Sequence, residues 1–140
     1  MGNGIPFSIL IVDDDEDDRM MIDEAFMQIE FADDVKKFID GKSLFHYLEQ
    51  VEPSLLPSLI VLDNSLPEHD AFDILSQLKQ KDSYKNIPVV IYTTSLSPTK
   101  EKLLLSKGAH ACFTKGNTMQ EIVQVAKKLK SIAVENSDKR

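Results

Sequence analysis

Acidic, hydroxyl and ammonium side chains follow four separate apolar segments of the chain, each at the point where the segment ends. These side chains belong to Asp13, Asp14, Asp63, Thr93 and Lys115. Carboxylates held close together repel one another unless a cation lies between them, and oxygen ligands without clustered histidine or cysteine favour Mg²⁺. An ammonium and a hydroxyl can bind phosphate oxygens. Brought together, these groups supply the parts for phosphoryl transfer onto a carboxylate.

The apolar segments have the composition of buried β-strands, and a weaker candidate interrupted by lysines adds a fifth strand nearer an edge. The predicted strands are Phe7–Val12, Val35–Ile39, Leu59–Leu62, Pro88–Tyr92 and Ala109–Thr114. Apolar residues at helical spacing follow each of them. Strands separated by single helices imply right-handed crossovers and a parallel sheet covered on both faces. The predicted fold is therefore α/β, a doubly wound five-stranded parallel sheet with five helices.

Capping residues and glycines predict where the helices begin and end. Asp15 is a plausible N-cap for the first helix, since acidic residues in a first turn complement the helix dipole. Gly41 is expected to break the chain before the second helix, and Ser97 to cap a fourth helix that runs through Leu105. The last helix is expected to span about Thr118 to Val134, followed by a frayed tail.

The joint position of the candidate residues in such a sheet is what indicates a functional site. Each alone has an ordinary explanation, as a helix start, a turn residue, a β-branched strand residue or a solvated lysine. The carboxyl ends of parallel strands emerge along one edge, where open α/β sheets bind ligands. We therefore expect Asp13, Asp14, Asp63, Thr93 and Lys115 to meet at that edge.

Composition narrows the possible classes of function. The 140 residues include 16 basic and 23 acidic side chains, a net charge of -7, which argues against nonspecific binding to nucleic acid or an anionic membrane. No apolar run has the length of a membrane span, and the amino terminus lacks a signal-peptide pattern. The single cysteine, Cys112, excludes an internal disulfide and suits a reducing compartment, so a cytoplasmic location is expected.

The joint motif resembles the receiver domain of two-component response regulators over about residues 7–134, which leaves tails at 1–6 and 135–140. The matching segments are Val12–Asp14, Leu62–Asp63, Tyr92–Thr93 and Thr114–Lys115. The resemblance implies that Asp63 accepts a phosphoryl group, as an aspartyl phosphate, from a sensor histidine kinase or a histidine phosphotransfer protein. It also implies a downstream protein that binds a face formed by the fourth helix, fifth strand and fifth helix.

The resemblance further assigns roles around Asp63. It implies Mg²⁺ as the cofactor, held by the carboxylates of Asp14 and Asp63 and the backbone carbonyl of Ser65, with Asp13 acting through bound water. Lys115 would pair with the phosphate, and Thr93 would move to hydrogen-bond it. In this family that movement shifts an existing equilibrium toward an active surface.

Three positions depart from the family pattern. Gly116 replaces the proline that commonly follows the lysine, and Ala71 stands where a glycine is usual. Cys112 occupies the fifth-strand position that often carries a switching tyrosine or phenylalanine. Its neighbour Phe113 cannot substitute, because successive strand residues face opposite sides of the sheet. Gating by rotation of an aromatic ring is therefore not expected in this chain.

Three functions compete on the sequence alone. The first is a stand-alone receiver, a switch or phosphorelay intermediate that catalyses only its own Mg²⁺-dependent phosphorylation and dephosphorylation and is otherwise not an enzyme. The second, a haloacid-dehalogenase-like phosphatase, would need an aspartate two residues after Asp63, where Ser65 stands. The third is a constitutive pseudo-receiver interaction module, which the departures at Cys112 and Gly116 keep open.

Overall fold

Five parallel β-strands form the central layer of the protein, of which a computed structural model describes residues 7–63, 71–94 and 96–138. The strands are β1 (Ile9–Val12), β2 (Val35–Phe38), β3 (Leu59–Leu62), β4 (Val89–Thr93) and β5 (Ala111–Thr114). The helices are α1 (Glu16–Gln28), α2 (Gly41–Gln50), α3 (Ala71–Gln80), α4 (Pro98–Ser106) and α5 (Met119–Asp138). The predicted doubly wound α/β fold is confirmed. Within the described residues, no helix is both long and apolar enough to cross a bilayer.

The order of the strands across the sheet is β2-β1-β3-β4-β5, and every neighbouring pair is parallel. The lysine-interrupted strand β2 lies at an edge, as expected. Val12, the last residue of β1, is paired with Phe38 and Leu62, which end β2 and β3. Thr93 is paired in the same way with Thr114. β1, β2 and β3 therefore end in register, as do β4 and β5, while β4 runs two residues beyond the partner of Leu62. The carboxyl ends of all five strands lie along one edge of the sheet.

Apolar side chains cover both faces of the sheet. Leu10 and Ile60 pack toward the layer of α2, α3 and α4, which we call the α2–α4 side. Ile9 and Leu59, their neighbours along the strands, pack toward α1 and α5, the α1–α5 side. Every residue of β1, β3 and β4 is buried, and each large apolar side chain removed from water contributes about 1.5–3 kcal/mol. The three central strands therefore form a rigid support for whatever follows them.

Two predicted helix starts are confirmed by side-chain caps. The carboxylate of Asp15 accepts a hydrogen bond of 2.9 Å from the backbone N–H of Asp18, at the start of α1. The hydroxyl oxygen of Ser97 accepts one of 3.1 Å from Lys100, and Pro98 is the first residue of α4. These caps satisfy backbone donors that have no partner within the helix.

The prediction that Gly41 breaks the chain before the second helix is wrong. Gly41 is the first residue of α2, and Asp40 caps the helix by accepting a hydrogen bond of 2.8 Å from the N–H of Ser43. A β-carbon on Gly41 would lie 2.8 Å from Cδ1 of Ile74 in α3. A side chain at position 41 would therefore force Ile74 to shift, a packing constraint that local sequence does not reveal.

The predicted end of the last helix is also wrong. Helix α5 continues past Val134 to Asp138, so most of the predicted tail at 135–140 is helical. The side chain of Asn136 donates a hydrogen bond of 2.8 Å to the carbonyl of Ile132, one turn earlier. Ala133 is fully buried against the α1–α5 side, so the helix is still packed on the sheet at the point where it was expected to end.

The corner between β5 and α5 is closed by a reciprocal capping box. The hydroxyl oxygen of Thr118 accepts from the N–H of Glu121 at 3.1 Å, and the carboxylate of Glu121 accepts from the N–H groups of Asn117 and Thr118 at 2.8 and 3.1 Å. A β-carbon on Gly116 would lie 2.6 Å from Cβ of Glu121 and 3.2 Å from backbone atoms of the helix. The residue after Lys115 must therefore lack a side chain.

This close approach generates a prediction for Gly116→Ala. The added methyl group has to displace backbone atoms of α5, so we expect the free energy of unfolding to fall by about 1–3 kcal/mol. Urea denaturation of the variant and the wild type measures the difference. Asn117→Ala is the control, because it alters an exposed side chain in the same corner and should change stability by less than about 0.5 kcal/mol. Equal stability of Gly116→Ala and the wild type would contradict the packing argument.

Candidate functional site

Backbone hydrogen bonds fix the residues that follow the strands. The N–H of Asp13 donates to the carbonyl of Phe38, and the N–H of Asp63 donates to the carbonyl of Val12, both at 3.0 Å. The N–H of Lys115 donates to the carbonyl of Thr93 at 2.8 Å. These bonds continue the ladders of the sheet one residue beyond the strands. The backbone N–H groups of Asp13, Asp63 and Lys115 are therefore held by the same ladders as the strands.

Three carboxylates converge at this edge. One oxygen each from Asp13, Asp14 and Asp63 lies within 4.8 Å of the others. Asp13 and Asp63 are buried, with 3% and 7% of their surface exposed, whereas Asp14 is exposed. Oxygen ligands at such spacing match the needs of a hard divalent cation, with one side open to water or a ligand. The donor set therefore fits a metal ion.

The ammonium of Lys115 lies among carboxylates from three different elements. Its Nζ is 2.7 Å from Oδ2 of Asp13, 2.7 Å from Oδ2 of Asp18 and 3.4 Å from Oδ2 of Asp63. Only 7% of the Lys115 side chain is exposed. The second oxygen of Asp13 accepts from the N–H of Asp15 at 2.9 Å. A single buried cation thus offsets the charge of the two buried aspartates that the sequence analysis singled out.

The pKa values of Asp13 and Lys115 both rise, for different reasons. Burial raises the pKa of Asp13 to about 6, from an ordinary 3.8, against the opposing effect of the hydrogen bond from Lys115. Burial alone would lower the pKa of Lys115, but its hydrogen bonds to Asp13 and Asp18 outweigh this effect and raise that pKa above its usual value. Lys115 therefore stays charged at neutral pH, while ionised Asp13 is held at a cost in free energy.

The structure brings most of the predicted site residues to one place. Asp13, Asp14, Asp63 and Lys115 share the carboxyl edge, as expected. Thr93 ends β4 with 1% of its surface exposed, and its carbonyl accepts the hydrogen bond from Lys115. Ser65 lies outside the described residues.

Sequence reasoning assigned no role in the site to three residues around Lys115 and Asp13. Asp18 is one of the acidic residues in the first turn of α1, a position that complementing the helix dipole is enough to explain. Arg19 donates a hydrogen bond of 2.6 Å to the carbonyl of Asp13. The Nζ of Lys115 also lies 5.7 Å from the ring centroid of Tyr92, which is buried on the α1–α5 side. A weak signal existed for Asp18 and Arg19, which follow the β1 motif within one helical turn of Asp15.

The fifth strand separates Cys112 and Phe113 as the alternation predicts. Cys112 packs against the α2–α4 side, whereas Phe113 packs against the α1–α5 side, with Nζ of Lys128 5.5 Å from its ring centroid. Burial, together with the charge of Glu101, raises the pKa of the Cys112 thiol. The neutral thiol therefore behaves as a small packing residue rather than a reactive thiolate.

A doubly wound sheet with acidic residues and one lysine at its carboxyl edge is the arrangement of a receiver domain. The family model described as "Response regulator receiver domain" matches residues 9–127, within the predicted extent of 7–134. The chain therefore belongs to the response regulator receiver family, whose members serve two-component signalling rather than general catalysis.

Relatives and solved structures agree with this assignment. The probable methanogenesis regulatory protein FilR2 of Methanothrix harundinacea is 31% identical, over 89% of this chain and 82% of its own. Response regulator Rcp1 of Synechocystis is 29% identical, over 93% of this chain and 90% of its own. The crystal structure of the Mn²⁺-bound form of Rcp1 has a TM-score of 0.74 at 25% identity, covering 90% of this chain and 93% of that one. The crystal structure of the phosphorylated cyanobacterial phytochrome response regulator RcpA has a TM-score of 0.79 at 26% identity, covering 92% of this chain and 94% of that one.

The raised pKa of Asp13 generates a prediction about stability and pH. Because the pKa is higher in the folded protein than in the unfolded chain, the stability linked to Asp13 is complete below about pH 4 and is lost as pH rises through about 6. A rise from 3.8 to about 6 corresponds to about 3 kcal/mol. Asp13→Asn, which never ionises, should therefore gain up to about 3 kcal/mol over the wild type between pH 4 and pH 7.

Urea denaturation at several pH values, without divalent cations, measures this gain. Asp17→Asn is the control, since it removes an exposed carboxylate from the same region and should show no comparable gain. If the free energies of unfolding of Asp13→Asn and the wild type differed by the same amount at every pH, burial would not be the cause of a raised pKa of Asp13.

Proposed function

We propose that this receiver domain accepts a phosphoryl group on Asp63 from the phosphohistidine of a sensor histidine kinase or a histidine phosphotransfer protein. The observation that carries the proposal is the position of the Lys115 ammonium, 3.4 Å from Oδ2 of Asp63, beside the carboxylates of Asp13 and Asp14. An acceptor carboxylate, a cation for phosphoryl oxygens and metal ligands thus share one pocket. The phosphorylated state of RcpA, a similar structure, supports the same chemistry here.

The reaction on Asp63 is a transfer between two nucleophiles. A carboxylate oxygen of Asp63 attacks phosphorus, an O–P bond forms, and the P–N bond to the histidine breaks. The electron pair of that bond stays on the imidazole nitrogen, and a ring that carries a proton on its other nitrogen leaves as neutral imidazole. Hydrolysis returns the carboxylate when water attacks phosphorus and inorganic phosphate leaves. Such transfers depend on positioning and on neutralising charge.

The acidic residues of the pocket would hold Mg²⁺. In this proposal Asp14 and Asp63 bind it through their carboxylates, Ser65 through its carbonyl, and Asp13 through water. The oxygen-only donor set within 4.8 Å supports Mg²⁺, and the Mn²⁺-bound form of Rcp1 supports a divalent ion in a similar fold. When bound, the ion would neutralise charge on the phosphoryl oxygens.

Lys115 and Thr93 would bind oxygens of the phosphoryl group. The ammonium of Lys115 stays charged at neutral pH and can donate to a phosphoryl oxygen without moving far. Thr93 would supply its hydroxyl from the end of β4. Because the backbones of Thr93 and Lys115 are hydrogen-bonded to each other, a shift at the end of β4 would displace the end of β5, and the reverse.

The downstream partner would bind the face formed by α4, β5 and α5. Leu103 and Leu105 support this choice, since both are large apolar residues of α4 with more than two fifths of their surface exposed. The net charge of -7 makes a protein a better partner than nucleic acid. A cytoplasmic location stays a prediction from the single cysteine.

The phosphoacceptor role is tested with Asp63→Asn. We expect acetyl phosphate or beryllofluoride, each with Mg²⁺, to shift the amide resonances of Thr93 and Lys115 in the wild type and to leave them unshifted in the variant. Asp82→Asn is the matched control, because it removes the same charge from an exposed residue after α3, at the other end of the sheet. Wild-type spectra unchanged by both reagents, or equal responses of the wild type and Asp63→Asn, would favour the constitutive interaction module.

The role of Lys115 is tested separately with Lys115→Ala. Removing the ammonium leaves the carboxylates of Asp13, Asp14 and Asp63 in place, so Mg²⁺ should still bind, while the spectral response to beryllofluoride at Thr93 should be lost. Lys107→Ala, an exposed lysine beyond α4, is the control and should respond as the wild type does. A normal response of Lys115→Ala would show that its assigned role is wrong.

A further inference from the structure

Lys115 is shared among more carboxylates than phosphate binding requires. An ammonium has three N–H bonds, and the three short contacts of Nζ are with Asp13, Asp18 and Asp63. The two contacts of 2.7 Å are with Asp13 and Asp18, and the longest, 3.4 Å, is with the proposed acceptor. Before phosphorylation, the cation is therefore drawn more strongly to Asp18 than to Asp63.

Asp18 is well placed to hold Lys115 from outside the metal site. It lies in the first turn of α1, where its own N–H is bonded to the cap Asp15. Its side chain is 31% exposed, against 5% for Asp13, so its carboxylate can turn to water at little cost. It is absent from the group of carboxylates that lie close enough together to hold a metal.

A general preference for acidic residues at helix starts does not account for this contact. Glu16, Asp17 and Asp18 all complement the dipole of α1. Within the described part of the chain, only Asp18 of these three forms an ion pair with Lys115. The contact joins residues 97 positions apart in the sequence, so it is a property of the folded pocket.

We propose that Asp18 is a positioning residue that holds Lys115 in the unphosphorylated state and competes with the phosphoryl group for its ammonium. This inference rests on the proposed function of Asp63. A phosphoryl group on Asp63 brings further negative charge close to Nζ, and at least one N–H of Lys115 must turn toward it. The carboxylate of Asp18 opposes that change in two ways, by retaining a donor and by repelling the incoming anion. Asp18 therefore sets how readily the pocket is filled and how long it stays filled.

The test compares the wild type, Asp18→Asn and Asp17→Asn in two titrations followed by amide resonances. The first uses Mg²⁺ alone, and the second uses beryllofluoride at saturating Mg²⁺. Asp18→Asn keeps the size and an acceptor oxygen of the side chain but removes its charge. We expect it to bind beryllofluoride about 3- to 10-fold more tightly than the wild type, without any gain in affinity for Mg²⁺. After acetyl phosphate is removed, Asp18→Asn should also return to the unphosphorylated spectrum more slowly.

Asp17→Asn carries the same change of charge one residue away and should match the wild type in both titrations. A second comparison in the Lys115→Ala background separates competition for Lys115 from simple repulsion. There, binding is followed by the amide resonance of Asp63 rather than that of Thr93, and the effect of Asp18→Asn on beryllofluoride affinity should shrink to that of Asp17→Asn. A gain that persists without Lys115, or an equal gain in Asp17→Asn, would overturn the proposal.

The outcomes also distinguish this inference from the proposed function. Wild-type protein that binds beryllofluoride while Asp18→Asn binds it no more tightly would overturn the role of Asp18 and leave the role of Asp63 standing. Wild-type protein whose spectrum responds to neither Mg²⁺ nor beryllofluoride would overturn both.

Discussion

The balance of charge around one buried ammonium is the constraint on which the functional edge of this protein depends. Asp13 and Asp63 are buried next to each other, and ionised carboxylates in such a place are costly unless they are paired. Lys115 provides the pairing from the carboxyl end of β5, the edge strand, with contacts of 2.7 and 3.4 Å to Asp13 and Asp63. The pairing is incomplete, as the raised pKa of Asp13 indicates. A pocket left with unneutralised negative charge is one that gains stability by binding a cation.

The fold holds this charge in place by fixing main chain rather than side chains. β1, β3 and β4 are buried on both faces, and their hydrogen-bond ladders extend to the backbone N–H groups of Asp13, Asp63 and Lys115. On flexible loops, carboxylates that repel one another could move apart. At the ends of hydrogen-bonded strands they have little freedom to do so. The free-energy cost of this repulsion is tolerated because the sheet contributes a large apolar core.

The sequence was sufficient to predict the sheet and the residues at its edge, for identifiable reasons. Runs of branched apolar residues followed by Asp, Thr or Lys indicate both the buried strands and where each strand ends. The side-chain contacts were not predictable in the same way. The pairing of Asp18 with Lys115 depends on the rotation of α1 about its axis and on the position of β5, two features that no local pattern encodes. Gly41 is a similar case, since the reason for it is the position of Ile74 in another helix. Local patterns of apolar and polar residues specify the strands and helices, whereas contacts between them depend on how the strands and helices pack.

The residues of the fifth strand limit how a change at the pocket could reach the surface. An aromatic side chain that gated the α2–α4 side would have to stand at Cys112, and the nearest aromatic, Phe113, faces α1 and α5 beneath Lys128. Gly116 is held against the first turn of α5 by the capping box, so a displacement of Lys115 would be transmitted to that helix through packed backbone. The backbone hydrogen bond between Thr93 and Lys115 joins the same displacement to β4, which leads into α4. In this receiver, coupling would therefore run through main chain at the ends of β4 and β5, and the helices that follow them would move without a rotating ring.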